Sequence, residues 1–517
     1  MDSPTLNILV KAPTTRLALF LACVFILYKI VKKRPGEHGT LPPGPRPWPL
    51  LGNLHQLGDL PHQSLAALAK KYGPVMFLRL GSIPTVVVSS PAMAKEFLKT
   101  HDRLFTDRPT VSARIYLAYD GKDVAYASYG DYWRQMKKLC TLELLTPKRT
   151  ETFKWVREEE VAAMIRSIWK QSEQGARFVD LSKFFFSLTL NIITIMSAGR
   201  TFSDHELRGG RKFKEILGEM MALAGAFVVA DFIPLLKYID LQGLRRRMKS
   251  LHQIYDEFAE KVIDEHISRR NQKAEEERGV KDLVDIMLDM SEAGSHSSEV
   301  KVTRLNIKAM ILDMLIGGVE ASSTTVEWAM RELLRNPCAM ATAQQEIQSV
   351  VGLDRNCLLK ESDIKNCEYL RCVVKETFRL HPPGPLLVPH QSTQGCNVGG
   401  YHIPTRTRLF VNIWAIGRDE SIWDDPYHFK PERFIGKNID FRGQHYELLP
   451  FGTGRRGCPG IPMGLLVTEL TLAQLIHCFH WTVEGEVNMH EMYGLTVPGK
   501  FPISARPSWR LTSKFPG

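Results

Sequence analysis

Pro450-Phe451-Gly452-Thr453-Gly454-Arg455-Arg456-Gly457-Cys458-Pro459-Gly460 sets four glycines around one cysteine. Glycine reaches positive φ without steric cost, so this backbone can turn tightly and leave room beside a single sulfur. Arg455 and Arg456 lie close enough in sequence to favour the thiolate electrostatically. A thiolate held in a fixed loop is a soft anionic ligand suited to iron. Most free cysteines are small buried hydrophobes, and the loop taken alone also fits that description.

Upstream stretches break local rules in ways that need a cause. A helix is expected from about Arg304 to Arg335, with Thr303 as N-cap and Asn336-Pro337 as the stop. Gly317 and Gly318 interrupt its middle at a cost of roughly 1 kcal/mol each relative to alanine, so either something packs against the backbone there or the helix kinks. Asp131 opens another helix, on which Trp133 and Lys137 share a face; an indole N–H and an ammonium there could grip a carboxylate. Glu376 and Arg379 are neighbours three apart on a third helix, which ends at Leu380-His381-Pro382-Pro383. Leu386-Leu387-Val388-Pro389-His390 follows as an apolar strand, and Tyr493-Gly494-Leu495-Thr496-Val497 has the form of a turn.

Together these motifs, in this order, resemble the cytochrome P-450 superfamily and most closely its plant A-type enzymes. Phe-x-x-Gly-x-Arg-x-Cys-x-Gly is matched at every defined position by Phe451, Gly454, Arg456, Cys458 and Gly460. The resemblance implies a mainly helical fold with a smaller β region, behind one N-terminal transmembrane helix. It implies haem b with Cys458 as the iron's thiolate ligand, and propionates held by Trp133, Lys137, His390 and Arg456. Lysine stands at 137 where the family usually has arginine, a point charge in place of a bidentate fork. Gly318, Glu320, Ala321 and Ser322 fall on the family's oxygen-site segment, with Ala321 where a threonine hydroxyl usually helps deliver a proton. Glu376, Arg379 and Arg433 would form a buried ion network, tolerable only if mutually paired. Leu386, Leu387, Val388, Leu495 and Val497 would line the substrate pocket.

The implied reaction inserts one oxygen of O2 into a small lipophilic plant metabolite, with electrons from NADPH through NADPH-cytochrome P-450 reductase. A terpenoid is the expected substrate, because the pocket segments are aliphatic. A phenylpropanoid or flavonoid is the alternative. An O2-independent haem-thiolate isomerase also fits a site without its threonine, whereas a non-catalytic haem sensor or storage module suits the apolar pocket segments poorly.

The whole chain is compatible with this. Its 517 residues are 44% hydrophobic and 24% charged, ordinary for a folded globular protein. Nine cysteines, an odd number without paired spacings, form no disulfide framework or zinc pattern. The formal charge of +11 suits an anionic membrane or an acidic flavoprotein, and no basic run interleaved with aromatics points to nucleic acid. Leu17 to Tyr28 is an uninterrupted apolar run, extended to a spanning length from Ala12 to Val31 if Arg16 and Lys29 snorkel. A cleaved signal peptide is the competing reading, but Lys29, Lys32, Lys33 and Arg34 follow the run where a small-residue cleavage site should be; they read as a stop-transfer cluster and place the remainder on the cytosolic side. The expected organisation is an anchor at 1–34 in the endoplasmic reticulum membrane, a proline-rich hinge at 35–49 and a catalytic domain at 50–517.

Overall fold

The computed structural model describes residues 40–202, 205–207, 210–272, 280–292, 301–352 and 358–511. The expected anchor and residues 35–39 of the expected hinge lie outside them. The described part of the hinge is more than a spacer. Its Pro43 carbonyl accepts from Phe77 N–H at 2.9 Å, and a Cβ at Gly44 would come within 2.0 Å of the Phe77 carbonyl oxygen.

Eleven helices of nine or more residues carry the described structure: α1 Pro61–Tyr72, α2 Asp131–Leu139, α3 Lys154–Gln171, α4 Leu181–Ala198, α5 Phe213–Ala224, α6 Leu244–Gln272, α7 Leu283–Glu292, α8 Arg304–Arg335, α9 Pro337–Val351, α10 Glu368–Leu380 and α11 Ile461–Cys478. The strands are β1 Val75–Leu80, β2 Ile83–Val88, β3 Val179–Asp180, β4 His390–Gln391, β5 Cys396–Val398, β6 Tyr401–Ile403, β7 Arg408–Val411, β8 Phe479–Val483 and β9 Ser504–Trp509. They form a four-stranded sheet in the order β1-β2-β7-β4, a three-stranded sheet β3-β9-β8 and the hairpin β5-β6. The β1-β2 turn is tight. Leu80 pairs directly with Ile83, and Gly81 supplies φ +60°.

The segment 386–389 is not a strand. Leu387 takes φ +53°, and Pro383, Pro385 and Pro389 remove ladder donors, so regular pairing starts only at His390.

Helix α8 has the expected bounds, and Asn306 Oδ1 accepts from the Thr303 N–H at 2.9 Å to close its first turn. It runs unbroken through its glycine pair. A Cβ at Gly318 would fall 2.6 Å from Ile193 Cδ1 on α4, while nothing lies within 4 Å of one at Gly317. Close helix packing therefore accounts for one glycine, and open space for the other. Helices α4, α8 and α11 are long and apolar enough to cross a membrane, yet each is more than half buried inside the protein; they are its core.

Helix α10 carries the ion network. Glu376 is fully buried; its Oε1 accepts from Arg379 Nη2 at 2.7 Å, Arg433 Nε at 2.9 Å and the Lys430 N–H at 2.8 Å, and Oε2 accepts from Arg379 Nε at 2.7 Å. Arg379 also donates to the carbonyls of Gly417, Pro426 and His428, so all five of its N–H groups are satisfied. Arg379→Ala leaves Glu376 charged and short of its main partner, and is expected to cost about 3 to 5 kcal/mol. Arg433→Ala, which removes one donor to that carboxylate, should cost less. Urea denaturation followed by circular dichroism checks the order; equal losses would show that the carboxylate does not organise the network.

Candidate active site

The cysteine loop is shaped by its backbone. Gly452 and Gly454 sit at φ +65° and +68°, and a Cβ at Gly454 would lie 2.7 Å from the Leu98 carbonyl oxygen. The Cys458 N–H donates to the Phe451 carbonyl at 3.0 Å, and the Gly460 N–H donates to Cys458 Sγ at 3.3 Å. Helix α11 begins three residues later, which puts its positive end beside the sulfur. The thiol has a face open to space, yet burial pushes its pKa up, opposed by the Gly460 N–H and by Lys137. It is a sulfur deep in the molecule with one side clear.

The flanking arginines do not play the part their spacing suggests. Arg455 pairs with Asp102 at 2.9 Å. Arg456 donates to the carbonyls of Thr106, Val124 and Ala127 and lies 4.2 Å from the Trp133 ring centroid. Lys137 is the cation that faces the sulfur, anchored by its Nζ on the Gly457 carbonyl at 2.6 Å.

The four expected propionate donors are brought together, but Trp133 and His390 are not free donors. Trp133 has one N–H, and it is taken by the Val124 carbonyl at 3.0 Å; the indole contributes its face to Arg456 instead. His390 Nδ1 donates to the Phe105 carbonyl at 2.7 Å, and burial, Arg108 and Arg456 hold its pKa well below the usual histidine range. The ring is therefore neutral, and its Nε2 is an acceptor. Arg108 is the cation that the sequence did not single out. It is buried, donates to the carbonyls of Ala125, Val388 and Pro389, and burial together with Arg456 lowers its pKa to about 9. It sits in an irregular stretch where no periodicity marks it.

The charge of Arg456 acts on Arg108, and those of Arg456 and Arg108 act on Lys137; no described carboxylate forms an ion pair with any of the three. Each retains unused donors. Such a cluster fits an anion, and beside a clear thiol it fits a group carrying two carboxylates and a thiolate-seeking metal.

On α8, Gly317 is exposed and Gly318, Glu320, Ala321 and Ser322 are partly exposed, whereas Ser323 to Leu333 beyond them are buried. Glu320 has its pKa raised by burial, opposed by the Thr496 hydroxyl, and its Oε2 has no hydrogen-bond partner. Thr496 also meets Thr324 at 3.4 Å. Ala321 offers no hydroxyl; its carbonyl accepts from Thr325 Oγ1 at 2.8 Å. Ser322 follows on the helix, about 100° away from Ala321.

A cavity of about 1070 Å³ is lined by Leu386, Leu387, Val388 and Leu495, together with residues of the 222–232 segment. Val497 is not on its wall: it is buried, and its carbonyl accepts from Trp328 Nε1 at 2.7 Å, which turns it into the core beside α8. Leu387 links the cavity to the cysteine loop, since its Cδ1 is 3.9 Å from a Cβ built on Gly452. The cavity also carries polar groups that the aliphatic motif segments did not announce, among them Asp231, Arg408 and Glu491.

The family profile of cytochrome P-450 matches residues 42–501. Cytochrome P-450 750A1 of Pinus taeda is 48% identical over 91% of each chain, and cytochrome P-450 71A1 of Persea americana is 43% identical over 94% of this chain and 97% of its own. A flavonoid 3'-monooxygenase of Crocosmia x crocosmiiflora is 41% identical over 95% of this chain and 96% of its own. A zebra fish cytochrome P-450 solved with progesterone shares the fold at a TM-score of 0.74 and 24% identity, covering 87% of this chain and 99% of its own.

The loop geometry makes a checkable claim. Gly454→Ala forces a positive-φ alanine, at about 1 to 2 kcal/mol, and drives its Cβ into the Leu98 carbonyl. Gly457→Ala meets only a 3.2 Å contact at ordinary φ. The first variant should lose most of its haem absorbance per unit protein while keeping helical circular dichroism, and the second should lose little. Equal haem content in both would remove the backbone argument.

Proposed function

The chain belongs to the cytochrome P-450 family and is a plant haem-thiolate monooxygenase; on that premise we propose that it hydroxylates a small lipophilic specialised metabolite of terpenoid type. The observation that carries the substrate class is the cavity of about 1070 Å³ ending at Leu387 against the cysteine loop, at the large end of ordinary ligand sites. It admits a rigid polycyclic skeleton. A flavonoid is the second reading, supported by Tyr126, Phe227, Phe232 and Trp414 along the wall and by the flavonoid 3'-monooxygenase among the relatives.

In this proposal Cys458 ligates the haem iron, and Arg108, Lys137 and Arg456 hold the propionates through their unused donors. The haem, when bound, supplies oxygen activation, with electron density pushed from the thiolate. His390 is neutral beside these cations, and an anion placed there would favour its protonation. Gly317 gives the open face of α8, and Leu386, Leu387, Val388 and Leu495 orient the substrate and exclude water. Glu320, whose raised pKa makes it a competent proton carrier, exchanges protons through the Thr496 hydroxyl. Phe451 packs beneath the loop against Phe378 at 5.1 Å.

Electrons are proposed to come from NADPH through the reductase. Membrane contact is proposed for two exposed apolar segments, Trp48 to Leu51 and Phe227 to Leu241. They are joined where the Gly81 N–H donates to the Leu51 carbonyl and the Ser82 N–H to the Phe232 carbonyl, beside the cavity. Residues 1–34 would add an anchor in the endoplasmic reticulum membrane.

Microsomes containing the protein should turn over terpenes in an NADPH-dependent way. Cys458→Ala should abolish both turnover and the thiolate-type band in the carbon monoxide difference spectrum of the reduced protein. A variant that keeps the band would overturn Cys458 as ligand, and turnover without NADPH would indicate an isomerase.

A second test concerns Ala321. A positioned proton donor is worth roughly 10² to 10⁴ in rate. If Glu320 and Thr496 already serve the site, Ala321→Thr leaves the ratio of product to hydrogen peroxide within about twofold, and Thr496→Val lowers it. The opposite pattern would show that the helix hydroxyl is the missing part.

A further inference from the structure

Six arginines are buried among the described residues: Arg108, Arg157, Arg270, Arg331, Arg379 and Arg408. Five have partners. Arg157 is bound by both oxygens of Glu361, Arg270 by Asp285, Asp289 and Glu292, Arg331 by Glu327 and two carbonyls, Arg379 by Glu376 and three carbonyls, and Arg108 by three carbonyls.

The Arg408 guanidinium has no hydrogen bond or ion pair with any described residue, although the strand's backbone is paired on both sides. It is 4% exposed, its Nε is orphaned, and it lines the cavity. Its strand explains the position. β7 lies between β2 and β4, so Leu409 and Val411 turn into the core while Arg408 and Phe410 form the cavity wall. The guanidinium carbon stands 4.9 Å from the Phe232 ring centroid, which fixes its plane from one side.

Burial lowers the Arg408 pKa to about 10, so the group stays charged at neutral pH. Asp231 and Tyr493 are the acidic groups whose charges act on it. Neither reaches it. Asp231 is held by Ser112, whose N–H donates to both carboxylate oxygens at 3.0 Å and whose Oγ donates at 2.6 Å. A buried guanidinium presents a planar fork of donors that matches a carboxylate bidentately, and an unpaired one is costly unless a ligand completes it.

We propose that Arg408 anchors a carboxylate-bearing substrate, whose apolar body then extends along Leu386 and Leu387 toward the cysteine loop. This rests on the proposed monooxygenase reading and narrows its substrate class to lipophilic carboxylic acids. It predicts that neutral analogues of the same skeleton bind less tightly.

The test uses the full-length haem protein in microsomes and two matched pairs: abietic acid with methyl abietate, and ferulic acid with methyl ferulate. Binding is read from haem spectral shifts and, independently of the haem, from the rise in melting temperature of the purified protein. Wild type should bind at least one acid ten or more times more tightly than its ester. Arg408→Gln should reduce that acid to the ester's level, and Arg408→Lys, which keeps the charge without the fork, should fall between. A haem content equal to wild type, with the ester still bound, shows that the Gln variant is folded.

An acid preference in the ferulate pair alone overturns the terpenoid reading and supports Arg408. Absence of acid preference in both pairs, failure of both acids to bind, or persistence of the preference in Arg408→Gln overturns the Arg408 proposal.

Discussion

A carboxylate with no access to water sets the terms for this structure. Glu376 is fully buried, so its charge is sustained only while Arg379, Arg433 and the Lys430 amide remain in place. Those partners come from α10 and from the long irregular stretch that leads to the cysteine loop. Phe378, on the same helix as Glu376, packs on Phe441 at 5.2 Å and on Phe451 at 5.1 Å. One charge and one aromatic cluster thereby tie the loop's entrance to α10. With little regular hydrogen bonding of its own, the loop depends on this external tie.

The same logic of completed donors divides the interior. In the network, every donor of Arg379 is met by a carboxylate or a carbonyl. Around Cys458 the accounting is left open: Arg108, Arg456 and Lys137 each use part of their hydrogen-bonding capacity on carbonyls and meet no described carboxylate as an ion pair. Carbonyls orient a cation without neutralising it, so the cluster is held in geometry while its field stays directed at the space beside the sulfur. That is how a scaffold prepares for an anionic group.

Legibility followed sequence distance. The glycine-cysteine loop, the ends of α8 at Thr303 and Asn336-Pro337, and the Glu376-Arg379 pair are local patterns, and each was readable from neighbouring residues. Which donors remain free is a long-range property. Lys137 meets a carbonyl 320 residues away, and Arg456 meets one 350 residues away, so spacing alone assigned the sulfur's electrostatic partner to Arg455 and Arg456 instead of Lys137. Trp133 and His390 were placed in the right neighbourhood, but their donor atoms were not, because an irregular stretch at 105–127 supplies the carbonyls that take them. Arg408 belongs to none of the sequence motifs; the insertion of β7 between β2 and β4 is what buries it. Val497 differs from Leu495 by a single turn of the chain, which sequence cannot orient.

These contrasts separate what must stay fixed from what can vary. On the cysteine side, backbone φ values, carbonyl anchors and packed aromatics leave little freedom, since a change at Gly454 or Arg379 meets backbone atoms or an uncompensated charge. On the cavity side, Leu387, Val388 and Leu495 present ordinary apolar side chains that can be exchanged at the modest cost of a surface or partly buried position. Selectivity among substrates therefore resides in a few polar groups set into an apolar wall, because a buried donor left without its acceptor discriminates far more strongly than a missing methylene. Arg408 is such a donor, placed on an inner strand where the ladder fixes its backbone and Phe232 fixes its plane. A rigid charge in a permissive apolar cavity can select for a functional group while tolerating variation in the skeleton that carries it.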